Sequence, residues 1–272
     1  MSLFDTLELI HDPRGFATLW LNRAEKHNAF DGQMIAELNR ALEQLAADAS
    51  LRFVVLRGRG RHFSAGADLQ WMRAAAQLDY AANLRDAQAL GEVMYRLHGL
   101  PMPTLAVVHG AAFGGALGLI SCCDMALGSR DATLCLSEVR IGLAPAVISP
   151  FVARAIGARA ARRYALSAER FDAERAGQLG LFSEVCEATE LEAQLARWVD
   201  NLLLNSPQAL RASKALLVEV EGGAPSSELR QACQHCIAEL RVSAEGQEGL
   251  QAFLQKRPPA WQAGITAQDP QS

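Results

Sequence analysis

Hydrophobic and polar positions follow two rhythms along the first two thirds of the chain. TLELI at 6–10 and GFATLWL at 15–21 are short apolar runs separated by a turn at Asp12 to Gly15, the pattern of two strands. From Asp31, a side chain suited to capping a helix, QMIAELNRALEQLA sets Met34, Ile35, Leu38, Leu42 and Leu45 on one helical face. FVVLRG at 53–58 and TLAVVHG at 104–110 are continuous apolar runs, as in strands buried on both faces of a parallel sheet. Between them, Asp79 to His98 has helical spacing. DMALGS and TLCLSEV continue the strands, ISPFVARAIGARAARRYALSA and DAERAGQLG read as helices, and LFSEVC reads as a strand. From about Leu191 only helical periodicity remains, through QLARWVDNLLL, SPQALRASKALLVEV and ELRQACQHCIAELR. The pattern predicts an α/β core over 1–198 and a helical region over 199–272 that packs on another subunit.

Composition narrows the possible partners. Half of the 272 residues are hydrophobic, enough for a sizeable core. The net charge of -4 leaves no basic surplus for nucleic acid, and the arginines are scattered. No apolar run approaches the ~20 residues that span a bilayer, and MSLFDTLELIHD resembles no signal peptide, so a cytoplasmic protein without a membrane partner is expected. Six cysteines are few for this length, and two are the neighbours Cys122 and Cys123, so reduced thiols are expected. Cys233 and Cys236 form a CxxC with no second ligand pair at zinc spacing, and structural packing is the better reading; no metal site is expected.

Two turns carry the candidate chemistry. HGAAFGGALGLISCCD, 109–124, runs from an apolar strand through Gly110, Gly114 and Gly118 into a helix. A dinucleotide site is one reading of such glycines, but no tyrosine is followed by lysine at the spacing of a short-chain dehydrogenase, and no GxxxxGK exists for a nucleoside triphosphate. Tight packing of a helix on a strand is the plain alternative. The second turn argues for more: RHFSAGADLQWM passes from a strand through Ser64-Ala65-Gly66-Ala67-Asp68 into another helix. Small residues let a ligand approach the backbone, and a helix N-terminus adds positive potential. Two such turns side by side would aim two N–H groups at one oxygen, an oxyanion hole for a carbonyl that becomes an enolate. The glycine stretch from Gly110 to Gly118 carries no side chain able to move a proton. LSEVRIGLAPAV supplies one acid in an apolar run, Glu138, between Leu134-Leu136 and Val139-Ile141-Leu143; burial there would raise its pKa into a useful range.

FSAGADL, HGAAFGGALGL, Asp124 and LSEVRIGLAP, in this order, resemble the enoyl-CoA hydratase/isomerase family, also called the crotonase superfamily; the match covers about 15–185, with a fainter one at AFLQKR. The resemblance implies a spiral of ββα units, C-terminal helices that build a homotrimer or a homohexamer, and a coenzyme A thioester as ligand with no other cofactor. Carried over by position, the N–H groups of Ala67 and Gly115 bind the thioester oxygen and Glu138 is the acid/base. Ala65, with Gly66, contacts the adenine side, Asp68 and Leu69 end that motif, and Lys26 in NRAEKHNAF lies near the phosphates. Gly114 precedes the second donor, and Phe253 and Lys256 reach the nucleotide, often across a subunit contact. Trp71 and Met72 are expected along the acyl pocket.

One departure matters. Many family hydratases carry a second glutamate where this chain has Gly118. A single base still suffices if water supplies both the hydroxyl and the proton. LAPAVISPFVARAIGARAARRYALSAERFDA resembles the branch that hydrates 3-methylglutaconyl-CoA or isohexenylglutaconyl-CoA, in leucine or acyclic terpene breakdown. On that reading Gly118 makes room for water or the branch, and Arg140, on the same face as Glu138 if the segment is extended, or Arg73 recognises the far carboxylate. His62 and His109 flank the turns but match no catalytic position of the family. The rivals are a Δ3,Δ2-enoyl-CoA isomerase, which also needs only one base, and a non-catalytic or RNA-binding member of the fold.

Overall fold

A computed structural model describes residues 3–220 and 226–263. Strands β1 (Leu7–Asp12) and β2 (Phe16–Leu21) form the antiparallel hairpin foreseen around the Asp12–Gly15 turn. Helix α1 (Gly32–Ala47) follows, its N-cap Asp31 accepting from Met34 N, and its apolar face fully buried. Next come β3 (Phe53–Gly58), α2 (Leu69–Ala75), α3 (Tyr80–His98), β4 (Thr104–Val108), β5 (Ala111–Phe113) and α4 (Gly115–Cys122). Then β6 (Met125–Ser129), β7 (Thr133–Cys135), α5 (Ser149–Ile156), α6 (Ala158–Ser167), β8 (Phe171–Asp172), α7 (Ala173–Gln178) and β9 (Glu184–Cys186) complete the sheets. Helices α8 (Leu191–Leu203), α9 (Pro207–Val220), α10 (Ser227–Val242) and α11 (Ala244–Leu254) end the described chain.

A large sheet has the order β1-β2-β3-β4-β6-β9, parallel from β2 onward. Both faces are covered, which is why its strands lack alternation in sequence. Along β3, Phe53 and Val55 face one way, toward Phe16, Val107, Leu127 and the α8 residues Leu191, Leu195, Val199 and Leu203. Val54 and Leu56 face the other way, with Ala106, Val108 and the apolar faces of α1, α3 and α4. Each buried Leu, Val or Phe contributes about 1.5–3 kcal/mol, so the sheet is the stable frame of the molecule.

A small sheet, β5-β7-β8, lies beside the large one and is extended by bridges between Ser64 and Ala112 and between Phe30 and Ala67. Each repeat therefore gives a strand to the large sheet, a short segment to the small one, and a helix: the expected spiral of ββα units. Two expectations need correction. TLCLSEV is extended only as far as Cys135, and Glu138–Ile141 is one turn of 3-10 helix closed by Gly142 at φ +78°. The division at 198/199 falls inside α8, which is held by the large sheet; the helical region begins after Leu203.

Helices α9 to α11 bury few of their own side chains, while Leu217, Val242, Leu250, Phe253 and Leu254 are exposed. One ion pair ties α9 to the core: the buried Lys214 Nζ lies 2.8 Å from Oδ2 of the more exposed Asp124 and donates to Met102 O at 3.1 Å. The same Asp124 oxygen accepts from Thr104 N and Oγ1 at 2.7 and 2.8 Å. Among the described residues all six cysteines are free, no group of side chains is arranged to hold a metal ion, and no helix is long and apolar enough to cross a membrane. Lys214→Met removes the donor to the Met102 carbonyl while Asp124 keeps its solvent access and its Thr104 donors, so it should lower unfolding free energy by about 1–3 kcal/mol, measurable by chemical denaturation.

Candidate active site

The two sequence-predicted turns are packed on each other through their main chains. Gly66 has φ +90°, and a Cβ there would stand 2.9 Å from the Phe113 carbonyl oxygen. Neither alanine nor a larger residue fits both constraints. Ser64 N donates to Ala111 O and Phe113 N to Ser64 O, each at 3.1 Å, so the segment at 64 is laced to β5. On its other edge, Phe30 N donates to Gly66 O at 2.7 Å and Asp68 N to Phe30 O at 2.8 Å. That pattern uses the groups on either side of Ala67 and leaves its own N–H facing the opposite edge. The Phe30 ring then crosses to the second turn, its Cε2 atom 3.2 Å from where a Gly115 Cβ would be. Phe30 thus touches the chain at both candidate donors, Ala67 and Gly115.

Helix α4 begins without a side-chain cap. Its N-cap is Gly114, at φ +54° and ψ -121°, whereas α1, α2, α3 and α7 are capped by aspartates. As the first residue of the helix, Gly115 has no carbonyl of its own helix to bond, and its N–H and that of Ala67 have no hydrogen-bond partner among the described residues. Two open amides beside a helix N-terminus favour an oxygen that carries negative charge.

Glu138 lies over this corner. Its Oε1 stands 3.2 Å, and its carboxyl carbon 3.7 Å, from where a Gly114 Cβ would be. The other oxygen, Oε2, is buried with no hydrogen-bond partner. Burial pushes the carboxyl above its ordinary pKa, only partly offset by a main-chain hydrogen bond. The apolar setting is one-sided. Leu134 and Leu136 are buried beneath, whereas Val139, Ile141 and Leu143 are exposed and form an apolar rim.

The surrounding candidates divide into two groups. Ala65 N donates to His27 O at 2.9 Å, which puts Lys26, itself exposed, in the segment bonded to the first turn. Asp68 is buried and fully occupied: it caps α2 through Gln70 N at 2.7 Å and Trp71 N at 3.2 Å and meets Arg23 at 3.3 Å. Burial opposes its ionisation, but those amides and Arg23 outweigh it and hold the carboxyl below its ordinary value. Leu69 is exposed, while Trp71 packs partly on the core beside Gly32. Phe253 and Lys256 are exposed, and no hydrogen bond among the described residues links them to either turn of their own chain.

Two roles imagined from the sequence do not fit. Gly118 leaves no space: a Cβ there would lie 2.3 Å from Ile148 Cγ2 and 3.0 Å from Met94 Sδ, so the volume expected for water or a branch is already filled. Arg140 does not share an extended face with Glu138, because the segment is a 3-10 turn; its Nη2 donates to Ala168 O at 2.8 Å. Arg73 is exposed in the last turn of α2.

Sequence reasoning missed Phe30, Asn28 and Ile148. Asn28 is fully buried at φ +54°, its amide donating to Arg59 O and His62 O at 2.8 and 2.9 Å. An asparagine between His27 and Ala29 was the one available signal, since Asn tolerates the left-handed region.

Comparison with known proteins agrees with this architecture. A crystal structure of an enoyl-CoA hydratase from Shewanella pealeana superposes with a TM-score of 0.91 and 46% identity, covering 95% of this chain and 97% of that one. The 2,3-dehydroadipyl-CoA hydratase of Escherichia coli is 33% identical over 242 residues, 89% of this chain and 92% of its own length. A trans-2-decenoyl acyl-carrier-protein isomerase of Streptococcus mutans is 28% identical over 260 residues, 94% of this chain and 98% of its own. The family model described as enoyl-CoA hydratase/isomerase matches residues 12–264. The chain is a crotonase-fold enzyme and belongs to the enoyl-CoA hydratase/isomerase family.

Proposed function

We propose that the protein hydrates the double bond of a 2-enoyl-CoA thioester whose acyl group carries a second carboxylate, a branched glutaconyl-CoA such as 3-methylglutaconyl-CoA or isohexenylglutaconyl-CoA. The observation that carries the catalytic part is the buried, unpaired Oε2 of Glu138 above Gly114, beside two open amides. The thioester oxygen accepts from Ala67 N–H and Gly115 N–H. Glu138 takes a proton from water as the water oxygen bonds to the β carbon, and the π electrons move onto the thioester as an enolate. The protonated Glu138 then gives that proton to the α carbon, and water has been added with nothing left over. Loss of one oxyanion donor costs about 2.7–4 kcal/mol of transition-state stabilisation in comparable sites.

The branched glutaconyl part rests on the resemblance around LAPAVISP. The likeness to a relative named for 2,3-dehydroadipyl-CoA, another thioester with a distal carboxylate, supports it. Exposed apolar side chains on α9 to α11 support assembly as a trimer or hexamer, in which Phe253 and Lys256 would reach a neighbour's nucleotide. The isomerase reading has an observation of its own: Ile148 and Met94 fill the place of a second acid, and one carboxylate suffices to move a proton between two carbons.

The deciding experiment is a turnover panel of 3-methylglutaconyl-CoA, isohexenylglutaconyl-CoA, straight 2-enoyl-CoA and 3-enoyl-CoA esters, with Glu138→Gln as control. Hydration of the glutaconyl esters, lost at least 1,000-fold in the control, is expected; reaction of 3-enoyl-CoA alone assigns the isomerase. Because Glu138 must be ionised to accept water's proton, the acid limb of kcat/KM should lie above the range of an exposed carboxylate. A carboxylate raised by folding destabilises the native state once pH exceeds its folded pKa. Glu138→Gln should therefore melt at a higher temperature than the parent at neutral pH, an advantage that vanishes as pH falls below the unfolded value. The packing at Gly118 predicts a double-mutant cycle: Gly118→Ala costs about 1–3 kcal/mol by overpacking, and less when Ile148→Ala is present, as read by denaturation.

A further inference from the structure

The path from β4 to β5 contains a fault in the hydrogen-bond ladder, and a side chain repairs it. Gly110 makes the turn at φ +59°, and a Cβ there would stand 2.3 Å from Arg61 O and 2.7 Å from His62 Nδ1. Alongside, Phe63 N donates to His109 O at 2.9 Å, and Ser64 N donates to Ala111 O at 3.1 Å. One residue on the first segment is matched with two on the second, so the Ala111 N–H misses its turn. A regular parallel ladder would give it a main-chain carbonyl. The His62 carbonyl instead accepts from Asn28 Nδ2 at 2.9 Å, and the Ala111 N–H donates to the ring nitrogen Nδ1 of His62 at 3.0 Å.

We propose that His62 is a positioning residue for catalysis: its neutral ring, protonated only at Nε2, holds the start of β5 and thereby sets the corner Phe113–Gly115 against Gly66. The inference rests on the reading of Ala67 and Gly115 as oxyanion donors. Two residues separate Ala111 from Gly114, and on the edge that faces the first turn β5 is held by this bond and by the two main-chain bonds to Ser64. Protonation at Nδ1 would place one N–H against another.

The groups facing the imidazole keep it neutral. The His27 ring stands edge-on at 5.1 Å, and Arg61 and His109 add positive charge, with Asp131 opposing them. Burial first, and then His27, Arg61 and His109, hold its pKa below the ordinary value. For a depressed pKa the stabilisation is complete above the unfolded imidazole's value, about 6.5, and is lost as pH falls through the lower folded value.

The test compares His62→Asn, whose amide oxygen can accept in place of Nδ1 without titrating, with His62→Leu, which cannot accept. Turnover of 3-methylglutaconyl-CoA and of a straight 2-enoyl-CoA, and thermal unfolding, are followed from pH 5 to 8. His62→Leu should lose about tenfold or more in kcat with little change in KM, part of what losing an oxyanion donor costs. His62→Asn should stay within about threefold of the parent at pH 7.5 and show a shallower loss of melting temperature below pH 6.5. Full kcat in His62→Leu, or equal damage in both variants, overturns the proposal. If His62→Leu does not fold, parallel acid losses in His62→Asn and the parent overturn it instead. An active Glu138→Gln would bring down the site and this inference together, whereas an inactive Glu138→Gln beside a fully active His62→Leu would remove this inference alone.

Discussion

A carbonyl oxygen stands only 2.9 Å from where residue 66 would carry its first side-chain atom. That contact, between Gly66 and Phe113, is the constraint on which the site depends, because it lets two turns from different repeats share one edge without an intervening side chain. The Phe30 main chain holds the outer side of the first turn, and the Phe30 ring closes on the second. Main-chain hydrogen bonds between the two turns and β5, completed by the His62 ring at Ala111, therefore determine where the Ala67 and Gly115 amides point. Such donors need no reorganisation when charge appears in front of them, which is the condition under which an oxyanion hole is most effective.

The same corner holds an electrostatic conflict. Glu138 is placed near buried, apolar Leu134 and Leu136 with one oxygen unpaired, and Arg140, the cation of the 3-10 turn that carries it, is bonded to Ala168 O instead. A carboxylate in that position is costly to the fold, and in the proposed reaction its raised pKa suits it to take a proton from water and return it. Asp68 shows the contrast a few residues from the other turn: it is also buried, but two amides and Arg23 satisfy it, so it is a poor base and a good anchor. Environment, not residue type, separates the two acids.

What the sequence revealed follows from the range of the interactions involved. Continuous apolar runs such as FVVLRG marked buried parallel strands because both of their faces are covered, and the α1 face was written in its own periodicity. The small-residue turns were legible because close backbone approach leaves few residue choices. The filling of Gly118 was not, since Ile148 comes from a loop thirty residues later and Met94 from a helix before it, and no local pattern reports such a meeting. LSEV failed as a strand for a related reason: residues 139, 141 and 143 were expected to bury Glu138 from the far side, yet they are exposed, because the chain has already turned at Ser137. The division at residue 198 failed because α8 has the periodicity of the later helices but the contacts of the sheet.

The plug at Gly118 bears on the chemistry as well as on packing. Ile148 and Met94 carry no exchangeable proton of use to a substrate, so the space beside Gly118 on α4 is filled by apolar side chains. In the proposed reaction both proton transfers must then pass through one carboxylate, and both occur on the side of the acyl chain that faces Glu138. Hydration and double-bond migration share the enolate and the same carrier. What separates them is whether a water molecule or a second substrate carbon lies within reach of Glu138 when the enolate forms. Val139, Ile141 and Leu143, exposed in the residues that follow Glu138, are the apolar side chains nearest to it in sequence, so under the proposed reaction the acyl group's fit against them would bear on that choice.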